Sequence, residues 1–168
     1  VMQIENTINK LETRYGKSLF DDGVDARSGG KKITDQEYKE LRKKTPSREI
    51  QQLVNENLAE LLGTEDFALP GLLINDTLQA DHIVSMKFIA TLYGFDKLDF
   101  DQRLEVLNNA KNFLGLSETA NKSKGAKTYF DWLKYKVGDI DVDNVFRNSM
   151  IIQEKIIERA LQGQIDQL

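Results

Sequence analysis

The sequence predicts an α+β fold, mainly helical, in which a short strand-strand-helix unit sits between N-terminal helices and a long C-terminal helix. Three observations predict it. Apolar residues recur at helical spacing from Ile50 to Leu62 and again from Val142 to Leu168. Two short strand-like runs, Leu78 to Val84 and Phe113 to Leu116, stand between them. A further helical stretch from about Ala120 to Val137 follows the second run. The 168 residues suit a single domain, divided into a helical part over 1–67, a strand-strand-helix core over 78–137 and a terminal helix over 142–168.

Each element has a local reason. Ile4, Ile8 and Leu11 share one face of a first helix, which Gly16, Gly23 and the Gly29-Gly30 pair interrupt, so residues 16–32 are expected to form a mobile loop. Thr34 or Asp35 opens a second helix, which ends near Lys44 because the residue before Pro46 is pushed out of helical dihedrals. Thr45 as N-cap and Pro46 as first helical residue restart the chain, with Ile50, Leu53, Val54, Leu58, Leu61 and Leu62 as the buried stripe and Gly63 as the stop. Pro70-Gly71 turns the chain into the first strand. Phe100, Leu104 and Leu107 mark a helix before the second strand, and Asp141 or Asp143 opens the last and longest helix.

Composition narrows the class. With 40% apolar and 30% charged residues, 2 Pro and 11 Gly, the chain reads as a globular protein. The absence of Cys removes disulfides, thiolate zinc sites and Cys nucleophiles. No apolar run approaches the length of a membrane span, and the start has no pattern of a signal peptide. Net charge is −4, which does not advertise a nucleic-acid binder. Bases nevertheless cluster: residues 27–48 carry an excess of five positive charges, including Lys43 and Lys44, and Lys122 to Lys136 holds five Lys against Asp131. Either run is equally readable as an ordinary solvated face.

The single His lies in Gln79-Ala80-Asp81-His82-Ile83-Val84. A lone His is more often structural than catalytic, but its neighbour changes the reading. Hydrolysis of a phosphodiester calls for a near-neutral base beside a hard cation held by oxygen ligands, and Asp81 and His82 supply one of each. Farther on, Asn121-Lys122-Ser123-Lys124-Gly125 opens a helix, where an amide oxygen completes a metal site and ammonium groups hold phosphates. Adjacent strand residues point to opposite faces, so the strand must end or bulge at Asp81-His82 if both are to serve one site.

These residues resemble the His-Asn-His (HNH) nucleases of ββα-metal fold, including the nuclease lobe of RNA-guided CRISPR effectors. The string Gln79 to Val84, Leu107-Asn108-Asn109, Asn112-Phe113, Gly115-Leu116-Ser117, Asn121 to Gly125 and Tyr129-Phe130-Asp131-Trp132 is most similar to the C-terminal nuclease modules of bacterial polymorphic toxins. The resemblance covers residues 68 to 137. It implies that His82 is the general base, that Asp81 and Asn121 hold a divalent metal, and that Asn112 fixes the loop that orients the base. Asn108 and Asn109 are alternatives for that middle position, and Asn112 is preferred for its nine-residue spacing to Asn121. Lys122, Lys124 and Lys127 would grip phosphates, with Lys43 and Lys44 adding sequence-independent affinity. Asn121 stands where the type motif has His, and an all-oxygen site favours Mg²⁺ over Zn²⁺ or Ni²⁺; Mn²⁺, Zn²⁺ and Ni²⁺ are the alternative ions. DNA is the expected substrate. A toxin module would be secreted or delivered as part of a larger chain, act in the target-cell cytoplasm and have a cognate immunity protein. An intracellular phage or restriction endonuclease and a non-catalytic nucleic-acid-binding helical module are the rival readings.

Two further expectations follow, the first from helix geometry and the second from the resemblance. At 100° per residue, Ala126, Tyr129, Phe130, Leu133 and Val137 share one helical face, with Asn121, Lys124, Thr128 and Trp132 opposite and free for a ligand. Residues 85–111 form an unusually long connection for the family, expected to shape substrate choice or cover the site, and its Asp96, Asp99 and Asp101 would repel a phosphate backbone.

Overall fold

The computed structural model describes residues 26, 27 and 29–168; the expected helix on Ile4, Ile8 and Leu11 lies outside them. Helix α1 (Asp35–Arg42) starts as the sequence suggests, with a reciprocal capping box between Thr34 and Glu37. The next start is one cap later than expected. Ser47, not Thr45, accepts from Ile50 N and caps α2 (Arg48–Val54), and the stripe to Leu62 is split into α2 and a single-turn α3 (Leu58–Leu61). Three main-chain bonds of the tighter i to i+3 kind, at Asn55, Glu56 and Leu58, interrupt the ladder there.

Strand β1 (Gln79–His82) pairs antiparallel with β2 (Phe113–Leu116), with Asp81 opposite Leu114 and His82 opposite Phe113. The ribbon is sheathed on its outer edge: Gln51 of α2 donates to Leu78 O and accepts from Ala80 N, satisfying main-chain groups that an edge strand leaves open. Gly115 is required by packing, because a Cβ there would meet Val54 O and the Leu78 side chain at about 3.0 Å. Between the strands come α4 (Met86–Ile89), a 3₁₀ turn at Phe95–Lys97 and α5 (Phe100–Leu107), capped by Asp99.

That connection is built into the core, and it also contributes Met86 to the surface around His82. Ile89, Leu92, Phe95, Val106 and Leu107 are completely buried, so residues 85–111 build the core. Asp99 is spent on capping α5.

Helix α6 (Glu118–Lys124) follows β2 directly and is capped by Ser117. The helix expected to run to Val137 stops at Lys124, with Gly125 at φ 55°, and the chain goes on into a second hairpin of β3 (Lys134–Tyr135) and β4 (Ile140–Asp141). The helical spacing beyond Gly125 was accidental. Tyr129 is buried, but Phe130, Leu133 and Val137, its expected companions, are exposed. Trp132, placed on the polar face by periodicity, is buried and donates from Nε1 to Ser123 Oγ at 2.9 Å. The chain closes with α7 (Asn144–Gln167), capped by Asp143, whose Met150, Ile157, Leu161 and Ile165 face the core. The protein is thus mixed helix and sheet, with two small antiparallel ribbons among helices. Among the described residues no helix is long and apolar enough to cross a membrane.

Candidate functional site

The strand-strand-helix segment brings three of the sequence-selected residues to one place. Asp81, His82 and Asn121 line an open cleft of about 340 Å³, together with Arg42, Thr45, Met86 and Gly125. The apparent conflict of adjacent strand residues is resolved because β1 ends at His82. Asp81 turns to α6 and its following loop, His82 to Thr45 and the end of α5, and the cleft opens where both are reached.

His82 is held by its ring nitrogen. Nε2 lies 3.1 Å from Leu107 O and 3.1 Å from Thr45 Oγ1. A carbonyl only accepts, so Nε2 carries the proton and Nδ1 the lone pair. Thr45 Oγ1 is free to receive a share of that proton because its own hydrogen is directed to Asn108 Oδ1 at 2.7 Å. The ring packs against Phe113, its cross-strand partner, at 4.4 Å. Burial lowers the His82 pKa from 6.5 to about 4, with the charges of Lys124 and Arg42 adding to it and the Leu107 bond opposing. The imidazole is therefore neutral at physiological pH.

Asn112 is fully buried and does not face the cleft. Its amide bridges the chain just beyond His82, accepting from Val84 N at 2.7 Å and donating to Val84 O at 2.9 Å, while its own carbonyl takes the Ile83 N–H. The turn after β1 is thereby fixed to the start of β2. The two alternatives for this position do other work. Asn108 ties Thr45, Ser47 and Lys44 together, and Asn109 caps the 3₁₀ turn and donates to Gln164.

Asn121 is not an N-cap, since Ser117 fills that role. It sits one turn inside α6 on the cleft wall, and among the described residues its side-chain amide has no hydrogen-bond partner. Asp81 is buried, and burial raises its pKa against the lowering effect of Lys124. Lys124, expected in solvent beside Lys122 and Lys127, is instead buried, with Nζ 3.2 Å from Asp81 Oδ2. Its neighbours explain why. The carboxylate comes from 43 residues earlier in the chain, and the Tyr129 hydroxyl donates to the same oxygen at 3.1 Å. Lys122 and Lys127 are exposed, as are Lys43 and Lys44.

No cluster of three or more His, Cys, Asp or Glu side chains is present among the described residues, so a cation here would rest on Asp81, Asn121 and water. Sequence reasoning missed Thr45, Arg42 and Tyr129. Arg42 lies within the basic segment and Tyr129 within the motif string, but only the fold reveals that they meet Asp81 and His82. In comparisons with known proteins, no protein family, no curated protein and no solved structure matches the chain.

Proposed function

We propose that the protein is a metal-dependent endonuclease of the His-Asn-His type that hydrolyses phosphodiester bonds of DNA with little sequence preference. The observation that carries this reading is the shared cleft, lined by a neutral, main-chain-oriented imidazole, a carboxylate and an amide that has no hydrogen-bond partner among the described residues. His82 accepts a proton at Nδ1 from the attacking water. Burial is the main cause of its depressed basicity, and an anionic phosphate entering the cleft would raise it in part by opposing the smaller effects of the Lys124 and Arg42 charges. Arg42 on the cleft rim is placed to pair with that phosphate. Asn112 and Leu107 act through His82 by fixing its strand end and its tautomer.

Asp81 and Asn121 would hold the divalent ion. Their oxygen donors suit Mg²⁺, which keeps much of its water and takes few protein ligands. When bound, such an ion neutralises charge on the phosphate and on the departing 3′ oxygen. Lys122, Lys127, Lys43 and Lys44 supply phosphate contacts from the exposed surface.

The similarity of the motif string to toxin nuclease modules supports a second layer of the proposal: delivery as part of a larger toxin, action in the target-cell cytoplasm and neutralisation by an immunity protein. One observation favours a rival. Asp81 already has a cationic partner in Lys124, as it would in a non-catalytic nucleic-acid-binding module. Plasmid nicking by the purified chain with Mg²⁺, with and without chelator, decides between them. Nicking that chelator stops and His82→Ala abolishes is the expected result. Intact DNA and intact RNA under all conditions would sink the nuclease.

A further inference from the structure

Lys124, buried against Asp81 of the cleft, is the least expected side chain of this region. Its side chain is 1% exposed, that of Asp81 is 7% exposed, and Nζ approaches both carboxylate oxygens, at 3.2 Å and 3.4 Å. The ammonium also lies over the Tyr129 ring at 4.7 Å, whose hydroxyl donates to Asp81 Oδ2 as well. A buried carboxylate needs a positive or hydrogen-bonding partner, and here the chain supplies its own. Two cations on one desolvated carboxylate repel each other strongly at such distances. Lys124 also has a way out. It is the last residue of α6, followed by Gly125 in a positive-φ conformation and by an exposed segment through Thr128.

We propose that Lys124 is the resident cation of Asp81, that a divalent ion reaches Asp81 only when the Lys124 ammonium withdraws, and that Lys124 thereby sets the metal affinity of the cleft. The inference rests on the nuclease reading in assigning Asp81 and Asn121 to the ion. It makes the metal-free protein a self-compensated state rather than one with an open anionic site.

The test uses Mn²⁺ alone as probe, followed by the loss of its free-ion electron paramagnetic resonance signal, on the parent, on Lys124→Met and on Asp81→Asn/Lys124→Met. Lys124→Met is expected to bind Mn²⁺ at least tenfold more tightly than the parent and to gain thermal stability from it, and the double variant to lose both responses. Equal affinity in parent and Lys124→Met overturns the inference. Should Lys124→Met not fold, the parent itself decides through amine acylation read by mass spectrometry. Lys124 is expected to be protected without metal and labelled with saturating Mn²⁺, with Lys122 labelled in both. Protection that persists at saturation overturns the proposal. Plasmid cleavage by the parent keeps the two readings separate: cleavage with unaltered Lys124 protection sinks this inference and leaves the nuclease standing.

Discussion

His82 Nε2 and the main-chain oxygen of Leu107 lie 3.1 Å apart, joining the end of β1 to the end of α5. This contact fixes the tautomer that the proposed chemistry needs. His82→Gln retains a donor for Leu107 O but has no basic lone pair, so it is expected to stay folded and to lose cleavage by about 10²–10⁴-fold. Because kcat/KM reports the free enzyme and His82 titrates at about 4, its acid limb should fall near pH 4. A limb near 6.5, the ordinary value, would show that the ring is not desolvated as described.

Stability should depend on pH through two buried groups of opposite sign. His82 has a folded pKa of about 4 against 6.5 unfolded, so the unfolded chain takes up a proton first and stability falls as pH drops from 6.5 to about 4. Glu154 of α7, which accepts from Tyr129 N at 2.7 Å, is raised by burial from 4.5 to about 7. Here the unfolded chain ionises first, and stability falls as pH rises from 4.5 through about 7. Between these limits the slopes oppose. Urea titrations should show Glu154→Gln losing stability toward acid and His82→Gln losing it toward neutrality, each by up to about 1.4 kcal/mol per pH unit. Parallel profiles in the two variants would contradict the burial of both groups.

How much of this was legible depended on whether the deciding contact was local. β2 at Phe113–Leu116, α5 over Phe100–Leu107 and α7 with its Asp143 cap follow from spacing and caps, which act within a few residues. The grouping of Asp81, His82 and Asn121 was legible through the motif string. The end of α6 was not, because Ala126, Tyr129 and Phe130 keep helical spacing past a glycine whose φ of 55° ends the helix. Nor was the burial of Lys124, since a lysine goes inside only when a distant carboxylate waits there. The core role of residues 85–111 was hidden by reading them as a departure from a compact family instead of counting Ile89, Leu92 and Phe95 as apolar residues in need of cover.

Asn112 should matter to stability before it matters to cleavage. Its side chain satisfies both main-chain groups of buried Val84. Asn112→Ala leaves both without partners, for an expected loss of about 2–4 kcal/mol by urea unfolding. Asn112→Asp, which still accepts from Val84 N but no longer donates to Val84 O when ionised, should be strongly destabilised as well, with partial recovery at acid pH. A neutral Asn112→Ala would mean that the turn after β1 is held by something else.

The exposed lysines should be separable from the buried one by salt. Lys122 and Lys127 reach solvent on either side of Lys124 in the chain, and Lys43 and Lys44 are exposed next to Arg42 and Thr45, which line the cleft. A lysine that neutralises a DNA phosphate contributes about 0.9 to the slope of log affinity against log salt. Lys122→Ala/Lys127→Ala should therefore flatten the slope by about 1.8 and weaken binding to all DNA sequences alike, and Lys43→Ala/Lys44→Ala should behave in the same way. Lys124→Met cannot act through this term, because its ammonium faces Asp81 rather than a phosphate. Fluorescence anisotropy of labelled duplex DNA across a salt series reads all three variants. A slope unchanged in both double variants would remove these lysines from the DNA-binding surface, whereas a slope lowered by Lys124→Met would mean that Lys124 leaves Asp81 when DNA binds.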